Sequence, residues 1–336
     1  METIKAAAGL LPVFLFLHAL VLLDSYKLIR FRAVLQAIAW GVVAAGAAFF
    51  ANHAVQEWLG LKAAVYSRTG APFVEELFKA AYLAALTRKR RLGFAVDGAI
   101  AGFAVGAGFA LVENAYYLYR LPDASLALWI LRGFGTAVMH GGASALFGIV
   151  AVTVSEQRST GSVFALALGF GTAASVHALF NCFLLPPVLT TLCMLIFFPL
   201  AVIVVFERSQ KSLQKWLGVG FDANVSLLEM VVSGNILSTR IGGYLQSLKA
   251  RFSGEARADM LCFLRLYLEL SVHAKGILLM REAGFRPSPD PEIKEKLEEL
   301  KYLEKSIGKT GRLALAPLLR NTGRDLWLLS MLGKKR

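Results

Sequence analysis

Charge is scarce in this chain. Asp, Glu, Lys and Arg make up 18% of its 336 residues, against about 25% in an ordinary soluble domain. Cysteine is scarcer still. Cys182, Cys193 and Cys262 are too few and too scattered for a disulfide framework or a thiolate metal site, and they read as small apolar fillers. What the chain has instead is hydrophobic sequence, 56% of the total. The few charges are badly mixed. Residues 1–206 carry 14 Lys/Arg and 9 Asp/Glu, and residues 207–336 carry 22 and 14. The first part therefore reads as membrane and the second as a water-facing, cytosolic helical domain. The net charge of +13 does not call for nucleic acid, because basic residues at helix ends hold cytoplasmic loops beside anionic lipid.

A spanning helix needs about 20 apolar residues, and seven runs reach or approach that length: 7–23, 34–52, 71–87, 94–118, 126–154, 161–185 and 188–206. The predicted class is all-α, a polytopic bundle of about seven transmembrane helices with a C-terminal helical domain. The first run ends at Asp24-Ser25-Tyr26-Lys27 without a small-residue cleavage pattern, so an uncleaved helix is expected rather than a signal peptide. With the amino terminus outside, eight basic residues (Lys27, Arg30, Arg32, the 88–91 cluster and Arg158) fall on the cytoplasmic side. Four (Lys5, Lys62, Arg68, Arg120) fall opposite. The positive-inside rule favours that orientation and a cytoplasmic tail.

Within these runs lie Glu75, Glu76, Glu113, His140 and His177. An ionisable group at membrane depth costs about 2.5–3.5 kcal/mol, so a cluster of them marks function by default. At 1.5 Å per residue, the expected depths below the outer boundary are roughly 6–8 Å for Glu75 and Glu76, 7 Å for Glu113, 12 Å for His177 and 20 Å for His140 along a tilted helix. All five fall in the outer half. Small-residue stripes at spacing four, Gly98/Gly102/Gly106/Ala110, Gly133/Ala137/Gly141/Ala145 and Gly169/Ala173/His177/Asn181, let neighbouring backbones approach beside them.

Three motifs carry a family resemblance: Glu75-Glu76-Leu77-Phe78-Lys79, Phe109-Ala110-Leu111-Val112-Glu113 and His177-Ala178-Leu179-Phe180-Asn181. In order and spacing they resemble the PrsW family of bacterial intramembrane proteases, within the wider group of CAAX prenyl proteases and bacteriocin-processing enzymes. The likeness covers about residues 70–185. In the prenyl-protease branch the first motif ends in Arg and the second in His. Lys79 and Glu113 stand there in this chain, which speaks against prenylated substrates.

The resemblance implies an intramembrane endopeptidase with Glu75, Glu76, Glu113, His177 and Asn181 as catalytic residues. Lys79 and His140 support them, although His140 falls outside the three motifs. It also implies a membrane-anchored protein substrate, such as an anti-sigma factor, cut near the extracytoplasmic face of a bacterial inner membrane.

Adjacent carboxylates disfavour double ionisation and suit acid or base work. Pro72 after Gly70 marks a helix start whose positive end favours negative charge. Lys79, four residues after Glu75, is placed for an ion pair with it. Glu113 could instead be a buried acid paired with Arg132 or Arg120. Asp97 reads as interfacial, and His18, His53 and His273 carry no role.

Two mechanisms fit. In the favoured one Glu75 or Glu76 activates water without a cofactor, and His177 with Asn181 forms an oxyanion hole. In the other, His140, His177, Glu76 and Glu113 hold a divalent cation such as zinc. A proton- or ion-coupled transporter and a non-catalytic receptor or scaffold are the rival classes. No inverted repeat supports the first, and a retained full set of acids argues against the second. The tail reads as helical over 226–237 and 260–279. It has a linker at Pro287-Ser288-Pro289, a helix start at Asp290-Pro291-Glu292 and an apolar stripe Ile293/Leu297/Leu300/Leu303/Ile307. A regulatory or partner-binding role is expected of it.

Overall fold

A computed structural model describes residues 1–24, 26, 29–157, 162–285, 287–288, 290–319 and 323–333, and these contain helices and no strand. Lys27, Arg158 and Pro289 lie outside the described residues. The chain divides into two compact units, Met1–Gln210 and Lys211–Arg336.

The first unit is built from α1 (Glu2–Leu23), α2 (Phe31–Leu59), α3 (Ala63–Thr69), α4 (Ala71–Arg88), α5 (Ala95–Arg120) and α6 (Leu126–Leu131). A π-helical turn (Arg132–Ala137), α7 (Val138–Gln157), α8 (Ser162–Asn181) and the first part of α9 (Pro187–Val232) complete it. Among the described residues, six helical segments are long and apolar enough to cross a membrane: α1, α2, α5, Leu126–Ser155, Val163–Asn181 and α9. The segment expected as a third crossing is α4, which is not among them, because Glu75, Glu76 and Lys79 dilute its hydropathy. Its 18 residues span about 27 Å at helical rise. The chain is nonetheless a polytopic helical bundle.

α5 is the central helix, buried along most of its length. It packs most extensively on α7, then on α2 and α1. The stripe explains the first contact. A Cβ at Gly98, Gly102 or Gly106 would strike the backbone carbonyl of Gly148, Ser144 or His140 respectively, so only a hydrogen side chain permits this approach. With little hydrophobic drive between helices in lipid, such close backbone packing supplies the association energy. Asp97 caps α5, its Oδ2 accepting from the Gly93 and Phe94 N–H groups at 2.7 and 3.1 Å.

In the second unit, residues 211–232 of α9 are followed by α10 (Arg240–Ser247), α11 (Gly254–Glu282), α12 (Glu292–Leu319) and α13 (Gly323–Leu332). The sequence pattern ended a helix at residue 206. In the structure α9 runs on unbroken, since residues 207–217 contain neither glycine nor proline to stop it. The stripe on α12 is as expected: Leu300, Leu303 and Ile307 are buried with Leu264 and Leu268 of α11, and Ile293 and Leu297 pack on the same core. The Glu292 N–H donates to Asp290 Oδ1 at 2.9 Å, which starts that helix. Gly308, at φ 62°, kinks it. Cys182 and Cys193 are half-buried, but Cys262 is exposed, so the filler reading fails for it. It sits on the outer side of α11, whose inner side is already filled by Phe263, Leu264 and Tyr267.

Candidate active site within the helix bundle

α4 begins as its sequence requires, with Gly70 at the N-cap and Pro72 in the first turn. Its inward face carries Glu76, Lys79, Ala80 and Leu83 at helical spacing. Lys79 and Glu76 are almost wholly buried. The Lys79 ammonium donates to Glu76 Oε1 at 2.5 Å and also lies 3.0 Å from His140 Nδ1. The ion pair expected between Lys79 and Glu75 is therefore corrected: Lys79 pairs with Glu76 at spacing three. The physical reason is rotation about the helix axis, which turns Glu76 inward with Lys79 and leaves Glu75 at the edge.

His177, from α8, meets both adjacent carboxylates. Its Nδ1 lies 2.8 Å from Glu76 Oε1, and its Nε2 lies 3.7 Å from Glu75 Oε2. His140, from α7, is held on both sides. An ammonium can only donate, so Nδ1 accepts from Lys79 and Nε2–H donates to Glu113 Oε2 at 2.5 Å. The two imidazoles stand perpendicular with ring centroids 4.8 Å apart. Phe109 covers the group, 4.4 Å from the ammonium and 5.0 Å from the His140 ring. Glu113 also pairs with Arg132, whose Nη2 donates to Oε1 at 3.1 Å.

Glu75, Glu76, Glu113, His140 and His177 thus form one connected cluster across four helices. Counting helical rise set His140 some 8 Å deeper than His177, yet their rings touch. Rise measures path along a helix, not depth in the bilayer, and a tilted helix covers less depth than its length. Asn181 is placed differently from the rest. Its Nδ2 donates to the Ser67 carbonyl at 3.0 Å, in exposed surroundings, and ties the end of α8 to α3.

The pattern of charges now separates three carboxylates that looked alike in sequence. Lys79 answers Glu76 and Arg132 answers Glu113. Glu75 faces a neutral amide, Asn52 Nδ2 at 3.2 Å, and the His177 imidazole. Asn52 is held in turn by the buried Tyr66 hydroxyl, which donates to its Oδ1 at 2.9 Å. Asn52 and Tyr66 carried no motif signal, because an uncharged amide and a phenol at helix ends are commonplace. The order Asn52 near the end of a long apolar run and Tyr66 just before the Glu75 helix was the one available cue. Since Asn52 fixes the rotamer of Glu75, Asn52→Ala should slow cleavage of a membrane-anchored substrate by about 10-fold, the lower end for loss of an orienting partner. A rate series on folded protein, with thermal unfolding as control, measures it.

The cluster offers a donor set for a metal. Glu75, His140 and His177 each offer a ligand atom, and these lie within 4.8 Å of one another. Two imidazoles and a carboxylate are a set that catalytic zinc uses. The oxygens of Glu76 and Glu113 are already engaged behind the rings, an arrangement that orients metal-binding histidines. The residues present fit a divalent ion, with Glu75 in place of Glu76 and Glu113 as the acidic donor.

A family model described as PrsW family intramembrane metalloprotease matches residues 30–205, more than half of the 336. No curated protein and no solved structure matches the chain. The chain belongs to that family and is a multi-pass intramembrane protease.

Proposed function

We propose that this intramembrane protease hydrolyses a peptide bond of a membrane-anchored protein at a centre made by Glu75, His140 and His177, which would hold a divalent cation, zinc being the first candidate. The convergence of these three donors from three helices within 4.8 Å carries the reading. A bound ion would supply an acidified water and polarise the scissile carbonyl. The rest is the work of the chain. Glu76 accepts the His177 Nδ1 proton and so leaves Nε2 with its lone pair toward Glu75. Glu113 orients His140 from behind, and Asn52 holds Glu75 at the edge of the cluster. Glu75 and Glu113, 17% and 26% exposed, are the sides from which water and substrate reach the group, whereas His177 and Glu76 are closed off.

A second reading has its own observation. The Lys79 ammonium already occupies His140 Nδ1, so that nitrogen is open to an ion only after the ammonium moves away. In the metal-free alternative Glu75 activates water directly, and His177, 3.7 Å away and then protonated on Nε2 as well, donates to the developing oxyanion. In either case Asn181, bonded to Ser67, serves to anchor α3.

The two readings divide on one experiment. Purified protein dialysed against zinc should bind one ion per chain, lose cleavage on treatment with a strong chelator and regain it when zinc is restored; His140→Ala should bind none. Undiminished cleavage after exhaustive chelation selects the glutamate mechanism. The remaining assignments rest on the family likeness and the basic-loop asymmetry: a bacterial inner-membrane location, an outside amino terminus, a cut near the extracytoplasmic face, and a regulator such as an anti-sigma factor as substrate. The cytosolic placement of the second unit rests on the same asymmetry.

A further inference from the structure

We infer that Arg132 is a positioning residue for this reaction, fixing Glu113 and through it His140, and that α1 completes its support. The inference rests on the hydrolytic reading of the Glu113–His140 pair. Arg132 opens the π-helical turn Arg132–Ala137, a local widening of the helix that recurs at functional sites. From there its guanidinium reaches three successive inward positions of α5. Nη2 donates to Glu113 Oε1 at 3.1 Å, Nε donates to Asn114 Oδ1 at 2.9 Å, and the plane lies 4.0 Å over the Tyr117 ring.

The consequence is rotational. Glu113 has one oxygen on the guanidinium and the other on His140 Nε2, so its carboxylate plane is set at two points. An ammonium could replace the charge but not the fork, which needs two donors in fixed relation to hold Glu113 and Asn114 together. Nor is this a solvated surface pair: Arg132 is 15% exposed and Asn114 is 1% exposed.

The support continues into α1. Asn114 Nδ2 donates to the Gly9 carbonyl at 2.7 Å. α1 lies close against this turn, since a Cβ on Gly133 would meet the Ala8 carbonyl and one on Gly9 would stand 3.2 Å from the Trp129 ring. Residues 2–23 precede the region matched by the family model, 30–205. The orientation of one imidazole in the site therefore depends on a helix outside that region.

The test is a coupling experiment on the full chain in lipid nanodiscs with a membrane-anchored test substrate. Arg132→Met should lower kcat by about 10- to 100-fold with KM nearly unchanged. Arg132→Lys should recover part of the loss. Combined with Glu113→Gln, Arg132→Met should cost nothing beyond Glu113→Gln alone, because both act through one carboxylate. Zinc affinity, read by competition with a chromophoric chelator, should fall alongside kcat in the Arg132→Met protein. Additive losses in the double variant, or a rise in KM at full kcat, would overturn the inference and make Arg132 a structural or substrate-binding residue. If Glu113→Gln itself cuts at the wild-type rate, the hydrolytic reading of that pair is what fails. Should Arg132→Met not fold, the same cycle run with Arg132→Lys decides the matter.

Discussion

Replacing His177 with alanine should lower cleavage of a membrane-anchored test substrate by about 10³-fold or more, at the upper part of the range for loss of a positioned proton-transfer group. The reason is specific to its position. His177 is the one imidazole in contact with both members of the adjacent glutamate pair, Nδ1 on Glu76 and Nε2 toward Glu75. Its removal frees Glu76 from one of its two partners, unfixes the neighbouring acid and, in the metal reading, deletes a ligand. Glu76→Gln should come close to the same loss, since the amide cannot accept from His177 and Lys79 with the charge that orders them. His53→Ala, at an exposed position of α2, should cut normally. Wild-type rates in both His177→Ala and Glu76→Gln would place the chemistry elsewhere in the molecule.

The second large effect is on stability. Gly106→Leu should lower folding stability and abolish cleavage. Its Cβ would run into the His140 carbonyl, a backbone atom that cannot swing aside as a flexible side chain can. Overpacking of a tight interface costs about 1–3 kcal/mol and occasionally more. Here three further carbon atoms follow the Cβ into the most extensive helix contact of the bundle. A fall of several degrees in the thermal midpoint in detergent is expected, with loss of activity even in the fraction that remains folded, because His140 itself is displaced. Gly171→Leu is the matched control: nothing lies within 4 Å of its Cβ position, so it should unfold and cut like the parent. Equal midpoints for the two variants would show that α5 and α7 are not in contact through this stripe.

Much of the molecule could be read from spacing alone. The apolar runs mark the helices because hydrocarbon leaves no other way to satisfy a backbone. The Gly98/Gly102/Gly106 stripe announces a close neighbour for the same helix. Glu75, Glu76, Glu113 and His177 stand out by their cost of burial, and they do meet. The errors are equally instructive. The favoured spacing of four points Lys79 to Glu75, whereas in the structure it reaches Glu76 at spacing three. Both spacings put a pair on one helix face, and only the neighbours decide between them. α9 was ended at the edge of its apolar run, yet a helix does not stop where hydropathy does.

Asn52 and Tyr66 are not legible as parts of the site for a different reason. Neither is costly or unusual in its own segment, and their meaning comes from partners 23 and 14 residues away in sequence. Arg132 shows in the sequence only as one of two candidate partners for Glu113, and its contacts with Glu113 and Asn114 decide for it. No motif contains His140, so the sequence gives it a supporting place and a share in the alternative metal site, but it touches Lys79 and Glu113 and lies against His177.

The order of residues along the chain by itself determined that this is a helical membrane protein with acids and imidazoles buried in its bundle, since the energetic penalty for such groups in lipid needs no coordinates to evaluate. Which carboxylate sits behind a ring and which one remains at the open edge was decided only by tertiary structure. That choice depends on the rotation of each helix about its own axis. The rotation is set by glycine-mediated backbone contact between α5 and α7 and by side chains from α1, α2 and α8, none of which a one-dimensional period encodes.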